Sequence, residues 1–411
     1  MASTRNEPNK TAIYATALTA FFAIAGIAIV DPILPVIGAE LGATSWQIEL
    51  LFTAYIAIMA IGMIPAVLAT GKFGFKKILV AGVSLVGLAA ILASLSQSIG
   101  QLAVLRGFWG LGNAMFFATA MVLLVSLAND RNWVVELFET CVGLGFAVGP
   151  LLGGLLGQIS WRIPFLACGV FMVVALVVSS SKLKDPAEKP APLRVGNVFS
   201  LFKKPAFVAL SVVTATYNYV FFVVLGWVPF FLGLDVVPLG LVFTGWGIGL
   251  AIGILVVGHR MAHKIGAVQT VGIAIVGVLA AVILFALDLG QAWTIVVLVF
   301  AGLCMGLVNA NLTDLSLALG SPDRRATTGA FNLVRWGFAA PAPVIAGLVA
   351  SGPDDVTPFW IAAGVLAVGI ITFLATAHVM ARGVGERVLW QRWNKGAAQV
   401  EGVPEEALGE V

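Results

Sequence analysis

The 411-residue chain is poor in charge: only 10% of its residues are Asp, Glu, Lys or Arg. A soluble domain carries about 25%. A chain of this length could not cover a water-facing surface with so few charges, which excludes a soluble enzyme and a disordered chain. Cysteine is also scarce. Cys141, Cys168 and Cys304 are scattered through apolar runs with no C-x-x-C spacing, so no disulfide framework is expected. There are three histidines, and His259 and His263 read as loop residues, so neither a metal site nor a cofactor is expected. No G-x-x-x-x-G-K-[ST] string occurs, and ATP drive within the chain is therefore not expected. The net charge of +3 comes without a basic stripe interleaved with aromatics, so no nucleic-acid partner is expected. The stretch from Met1 to Lys10 enters a long apolar segment with no A-x-A-like site, and that segment is expected to stay as a membrane anchor.

What is abundant is apolar surface. Hydrophobic residues make up 60% of the chain, and the mean hydropathy is +1.03. The 46 glycines suit helices that pack closely in lipid. A helix needs about 20 apolar residues to cross a hydrocarbon core. Twelve runs qualify: 12–36, 47–69, 77–97, 101–127, 134–157, 162–181, 206–231, 239–258, 268–288, 292–315, 326–350 and 357–381. The runs are continuous and lack the ten-residue alternation of a barrel. The bilayer is thus the expected partner.

Lysine and arginine sort by loop. With twelve spans, 20 of them fall on one side, including Lys72, Lys76, Lys77, Arg131, the six of 182–204, Arg260, Lys264, Arg324 and Arg325. The opposite loops hold only Arg162, and Arg106 and Arg335 lie inside spans. By the positive-inside rule both termini are cytoplasmic. The short loops suggest a bacterial plasma membrane. The expected organisation is a six-span bundle over 1–181, a cytoplasmic linker over 182–205, a second bundle over 206–383, and a tail over 384–411. Internal similarity supports it. Gly74 meets Gly266 and Lys72 meets Lys264 at an offset of 192, while Asp130-Arg131 meets Asp323-Arg324 and Pro150 meets Pro343 at 193. A nearly constant offset is the trace of a duplicated six-helix unit.

Charges at membrane depth are costly and are functional candidates by default. Asp31, followed by Pro32 and Pro35, Glu49 and Arg106 share one depth in spans 1, 2 and 4, so a pair or triad is feasible. A headgroup-level acid, a helix-start acid and a structural counter-ion are the respective alternatives. Glu139 in span 5 is a fourth candidate, unless it is a helix-start acid with Glu136. Its mate at offset 193 is Asn332, with Arg335 on the same face of span 11. Asp314 could pair with Arg335 structurally. Span 7 carries Thr214, Thr216, Tyr217, Asn218 and Tyr219, then Phe221 and Phe222, and span 10 carries Asn309 and Asn311. These groups suit a large amphiphilic ligand or ordinary packing.

Span 5 reads Gly145-x-x-x-Gly149-Pro150-x-x-Gly153-Gly154, a close-packing stripe interrupted by a residue that removes a backbone donor. This string resembles the antiporter motif of the twelve-helix drug:proton antiporters in the major facilitator superfamily. Leu105-Arg106-Gly107-Phe108-Trp109-Gly110-Leu111-Gly112 resembles the R-x-x-x-G-x-G element of their fourth helix. Gly71-Lys72-Phe73-Gly74-Phe75-Lys76-Lys77 resembles the signature G-x-L-A-D-R-x-G-R-K between helices 2 and 3, but Gly71 stands at the acidic position and Lys72 at the first arginine. The departure puts the family's usual latch in doubt.

The resemblance covers about residues 12–381. It implies an all-α membrane protein of two pseudo-symmetric six-helix halves. It also implies a secondary transporter that exports amphipathic or drug-like molecules by alternating access; a monomer is the expected state. Asp31, Glu49, Arg106 and Glu139 would couple protons. By resemblance Arg106 is the family's intramembrane arginine tied to proton transfer. Tyr217, Asn218, Asn309, Asn311, Asn332 and Arg335 would line the substrate cavity. Gly145, Gly149, Pro150, Gly153, Gly154, Gly71, Lys72 and Gly74 would govern conformation. A lipid or glycolipid flippase of the same shape is the alternative; a small-metabolite uniporter and a membrane-embedded enzyme have less support.

Overall fold

The computed structural model describes residues 10–128, 131–183, 185, 193, 195–321 and 323–386, and the described residues contain helices and no strand. Among the described residues twelve helices are long and apolar enough to cross a membrane. They are α1 (Lys10–Leu41), α2 (Ser45–Phe73), α3 (Phe75–Ser94) and α4 (Ile99–Leu127), α5 (Arg131–Gly157) and α6 (Arg162–Lys182). The second six are α7 (Pro205–Leu232), α8 (Val236–Ile265), α9 (Ala267–Ala286), α10 (Gln291–Leu319), α11 (Arg324–Val349) and α12 (Thr357–Gly383). Short loops make neighbours antiparallel, so Lys10 and Gly383 mark one end of the bundle, called here the terminus face.

Packing repeats with a step of six helices. The contacts α2·α4, α3·α4, α3·α6, α1·α6 and α1·α5 recur as α8·α10, α9·α10, α9·α12, α7·α12 and α7·α11. Two seams join the halves, α5·α8 and its symmetry mate α11·α2. Large apolar side chains such as Ile61, Val177 and Ile371 lie exposed on the outer wall. An apolar wall around a core that holds polar side chains is the arrangement that lipid as solvent demands.

Local chemistry sets the ends. Thr44 and Gln47 form a capping box on α2, with the Thr44 N–H donating to Gln47 Oε1 at 2.9 Å. Ser98 accepts from the Gln101 N–H at 3.3 Å at the start of α4. The α1 helix stops at Ala28 and resumes after a 3-10 turn at Asp31–Ile33, where Pro32 and Pro35 forbid a continuous hydrogen-bond ladder. Helix α11 breaks between Gly337 and Pro341, whereas α5 runs through Pro150. The repeat is therefore imperfect where the prolines lie. Arg162, the exception to the sorting of basic residues, sits 3.7 Å from Glu40 and donates to the Ser96 carbonyl at 2.9 Å.

The turn before α3 and the turn before α9 share a construction. Gly74 and Gly266 adopt φ of +84° and +94°, a region that glycine enters without steric cost. Each turn receives an acid from beyond the last helix of its own half. Asp185 accepts from the Lys76 N–H at 2.7 Å. Glu386 accepts from the Ala267 and Val268 N–H groups at 2.8 and 3.0 Å. A carboxylate there satisfies orphan donors and complements the helix dipole.

Two expectations are corrected. Gly71 and Lys72 lie within α2 rather than in the following loop, and Lys72 leans over the Phe73 ring at 5.2 Å. His259 and His263 are helical, because α8 continues through a π segment at Gly253–Gly258 to Ile265. The turn falls only at Gly266, so the basic and histidine residues counted as loop form the last turns of the helix.

Replacing Glu386 with Ala should uncap α9 and cost roughly 1 kcal/mol. A thermal melt of the detergent-solubilised protein checks this: the Glu386→Ala melting temperature should fall, and an unchanged value would mean the cap carries no stability.

Candidate functional site

Asp31 and Arg106 are fully buried on α1 and α4, and Glu49 is fully buried in the second turn of α2. The carboxylate oxygens of Asp31 and Glu49 and all three guanidinium nitrogens of Arg106 make no hydrogen bond. No ion pair joins the three among the described residues, where the only pairs are Arg162–Glu40 and Arg325–Asp323. They are nonetheless close enough for the charges on Asp31 and Arg106, and on Asp31 and Glu49, to act on each other. The structure thus gathers the three into one cluster without the direct pairing that a shared depth allowed. Arg106 instead places its guanidinium 4.6 Å from the Tyr55 ring centroid and 5.0 Å from that of Trp109. Desolvated cation–π contacts of this kind are worth about 2 kcal/mol. The Tyr55 hydroxyl accepts from Asn113 Nδ2 at 2.6 Å. Tyr55 and Asn113 were missed in the sequence because neither is charged and each sits in an apolar run.

Glu49 reaches across the molecule. A methyl group added at Gly226 of α7 would stand 2.9 Å from Glu49 Cδ. Because α2 and α7 belong to different halves, the acid seats against the opposite bundle, and a side chain at Gly226 would have to push its carboxylate aside. On either side of this point α2 packs tightly on α11: Thr53 Oγ1 donates to the Ala340 carbonyl at 2.7 Å, and Gly347 packs on the Trp46 backbone.

A second polar chain runs through the other half. Arg335 Nη2 donates to Asn309 Oδ1 at 2.7 Å, Asn309 Nδ2 donates to the Tyr217 hydroxyl at 2.9 Å, and that hydroxyl donates to the Met305 carbonyl at 2.8 Å. Helices α7, α10 and α11 are thereby tied together. Asn218 and Asn311 do not join it; each amide donates to a carbonyl one turn earlier on its own helix, Thr214 and Leu307, at 2.9 Å. Asn332 is half-buried. The Asp314–Arg335 pair does not form. Asp314 lies instead within electrostatic reach of His259, and Arg335 turns to Asn309. The Glu139 side chain lies outside the described residues.

Aromatic rings bridge the halves between these clusters. Phe221 of α7 lies 6.3 Å from Phe146 of α5 and 5.5 Å from Trp246 of α8. Phe222 lies 6.4 Å from Phe52 of α2 and 5.8 Å from Trp336 of α11. Adjacent residues on α7 thus plug both seams.

The glycines of α5 serve two neighbours. Gly145, Gly149 and Gly153, spaced by four, press on α1: a methyl at Gly149 would lie 2.8 Å from the Ala25 carbonyl oxygen, and one at Gly145 2.9 Å from that of Phe21. Gly154 faces α8, where a methyl would meet Gly240 Cα at 3.1 Å. Pro150 lacks the N–H that would bond the Phe146 carbonyl, and Gly247 of α8 rests against that carbonyl. The proline frees an acceptor at the point where the facing backbone comes closest.

The model of the Major Facilitator Superfamily matches residues 16–342. The chain belongs to the Major Facilitator Superfamily. This transporter is 33% identical over 368 residues to the multidrug efflux protein YfmO of Bacillus subtilis, covering 88% of this chain and 92% of that one. It is 27% identical over 169 residues to the quinolone resistance protein NorA of Staphylococcus aureus, covering 40% of this chain and 43% of that one. Its fold matches the inward-facing, occupied crystal structure of a bacterial homolog of the human lysosomal transporter Spinster. The TM-score is 0.70 at 16% identity, covering 92% of this chain and 96% of that one. The chain is a multi-pass membrane transporter and not an enzyme.

Substituting Gly247 by Val should overpack the α5·α8 seam and cost about 1–3 kcal/mol. Gly364→Ala, where nothing lies within 4 Å, is the neutral control; equal melting temperatures for the two variants would show that the seam tolerates side chains.

Proposed function

We propose that this transporter exports amphipathic, drug-like molecules in exchange for protons, with both termini in the cytoplasm of a bacterial cell. The observation that carries the reading is the sealed Asp31–Glu49–Arg106 cluster, one member of which seats on the opposite half at Gly226. A carboxyl that is shut away in one state and wet in another changes its proton affinity between the two, and can load a proton on one side and release it on the other. Separating α2 from α7 opens the seam around Glu49, so proton exchange and movement of the halves are coupled by geometry. The multidrug efflux protein and the quinolone resistance protein among the relatives support an exported organic substrate.

The substrate would lie between the halves, against the Phe221, Phe222, Trp246 and Trp336 rings and the Tyr217–Asn309–Arg335 chain. Flat apolar rings beside a few polar groups suit molecules that are large, partly apolar and varied in shape. Alternating access would use the seams α5·α8 and α2·α11 as rocking surfaces, with Gly145, Gly149, Pro150, Gly153 and Gly154 holding the helices close enough to move as packed units.

Transport in proteoliposomes tests the coupling. Uptake of a fluorescent amphipathic dye should need a pH gradient in wild type. It should be lost in Asp31→Asn and in Arg106→Ala, both still inserted as monodisperse protein after extraction. Driven transport at wild-type rates in both variants, or export indifferent to collapse of the gradient, would remove the assignment.

A further inference from the structure

The last turns of α8 place His259 and His263 one above the other, four residues apart on one helical face. Their Nε2 atoms are 3.2 Å apart, with ring centroids at 4.6 Å and planes at 83°. Both side chains are exposed at the terminus face, clear of the buried charge cluster and of the aromatic plug. In a tetrahedral site with metal–nitrogen bonds of about 2.0–2.1 Å, two imidazole donors stand roughly 3.3 Å apart. The pair is already at that separation, where the Nε2–H of one imidazole donates to the Nε2 of the other.

The surroundings carry both signs of charge. Arg260 and Lys264 neighbour the histidines on α8, each offset by about 100° around the helix. Asp314 on α10 lies within electrostatic reach of His259. No group of three or more His, Cys, Asp or Glu is placed to hold an ion among the described residues. Two imidazoles without a carboxylate ring select the borderline metals and not calcium or magnesium, which require oxygen ligands.

We propose that His259 and His263 bind one divalent transition-metal ion, of the zinc, nickel or copper class, with water completing its coordination. The ion clips a helical turn immediately after the π segment Gly253–Gly258, the one stretch of α8 whose backbone hydrogen bonds depart from the α pattern. The site therefore joins the end of a seam helix to a metal that can stiffen it. This assignment stands apart from the proton-coupling reading and does not depend on it.

The test uses full-length protein without a histidine tag, in detergent. Copper(II) titration followed by electron paramagnetic resonance should show one ion per chain with two nitrogen ligands, and zinc should displace it. His259→Ala and His263→Ala should each weaken binding about tenfold or more. His378→Ala, on α12, should leave it unchanged. Both replaced side chains are exposed, and size-exclusion profiles check that the variants remain folded. Binding that survives both substitutions, or no copper binding up to on the order of 1 mM, would overturn the site.

Discussion

Close approach of backbone to backbone is the constraint on which this structure depends. Lipid tails are as apolar as leucine, so no hydrophobic force pulls one spanning helix onto another. What remains is dispersion, which falls away steeply with any gap, and a few polar contacts. Helix α5 meets both needs on opposite sides. Its stripe of Gly145, Gly149 and Gly153 lies on α1, and Gly154 with the freed Phe146 carbonyl lies on α8. One helix thereby binds its own half tightly and meets the other half along a smooth track.

The same economy governs the charges. Three ionisable side chains buried without hydrogen bonds would be costly in any rigid protein. Here they border the contact between the halves, where the Glu49 carboxylate rests against Gly226. Packing and electrostatics converge on that contact. In the other half Arg335, Asn309 and Tyr217 hold three helices together in a chain of bonds of 2.7–2.9 Å. The two halves thus share a frame and differ in use, one with buried charges that make no hydrogen bond and one with a polar chain that links three helices. The aromatic plug on α7 stands between them.

The caps at the terminus face show how a duplicated unit keeps a device while changing its residues. Asp185 and Glu386 differ in length, and the longer acid reaches two N–H groups where the shorter reaches one. Each ties the segment beyond the last helix of its half back to the start of the third. The last turn of α2 has Gly71 where the family signature has an acid, yet an acid still reaches the turn before α3, Asp185 bonding Lys76 from 109 residues further along. Nothing in the local string marks it, because the contact is long-range.

Sequence by itself determined the solvent, the number of spans, the duplication and the family, because these follow from composition, run length and short-range spacing. It also located the buried charges, since a charge inside an apolar run is visible without coordinates. Tertiary structure alone decided what each candidate touches. Whether Arg335 meets Asp314 or Asn309, whether Asn218 and Asn311 look outward or bond their own helices, and whether Glu49 finds Gly226 depend on helix rotation and on contacts between distant segments. The histidine pair became legible only once α8 was seen to continue past Gly258, since a helix turns a four-residue spacing into a shared face and a loop does not.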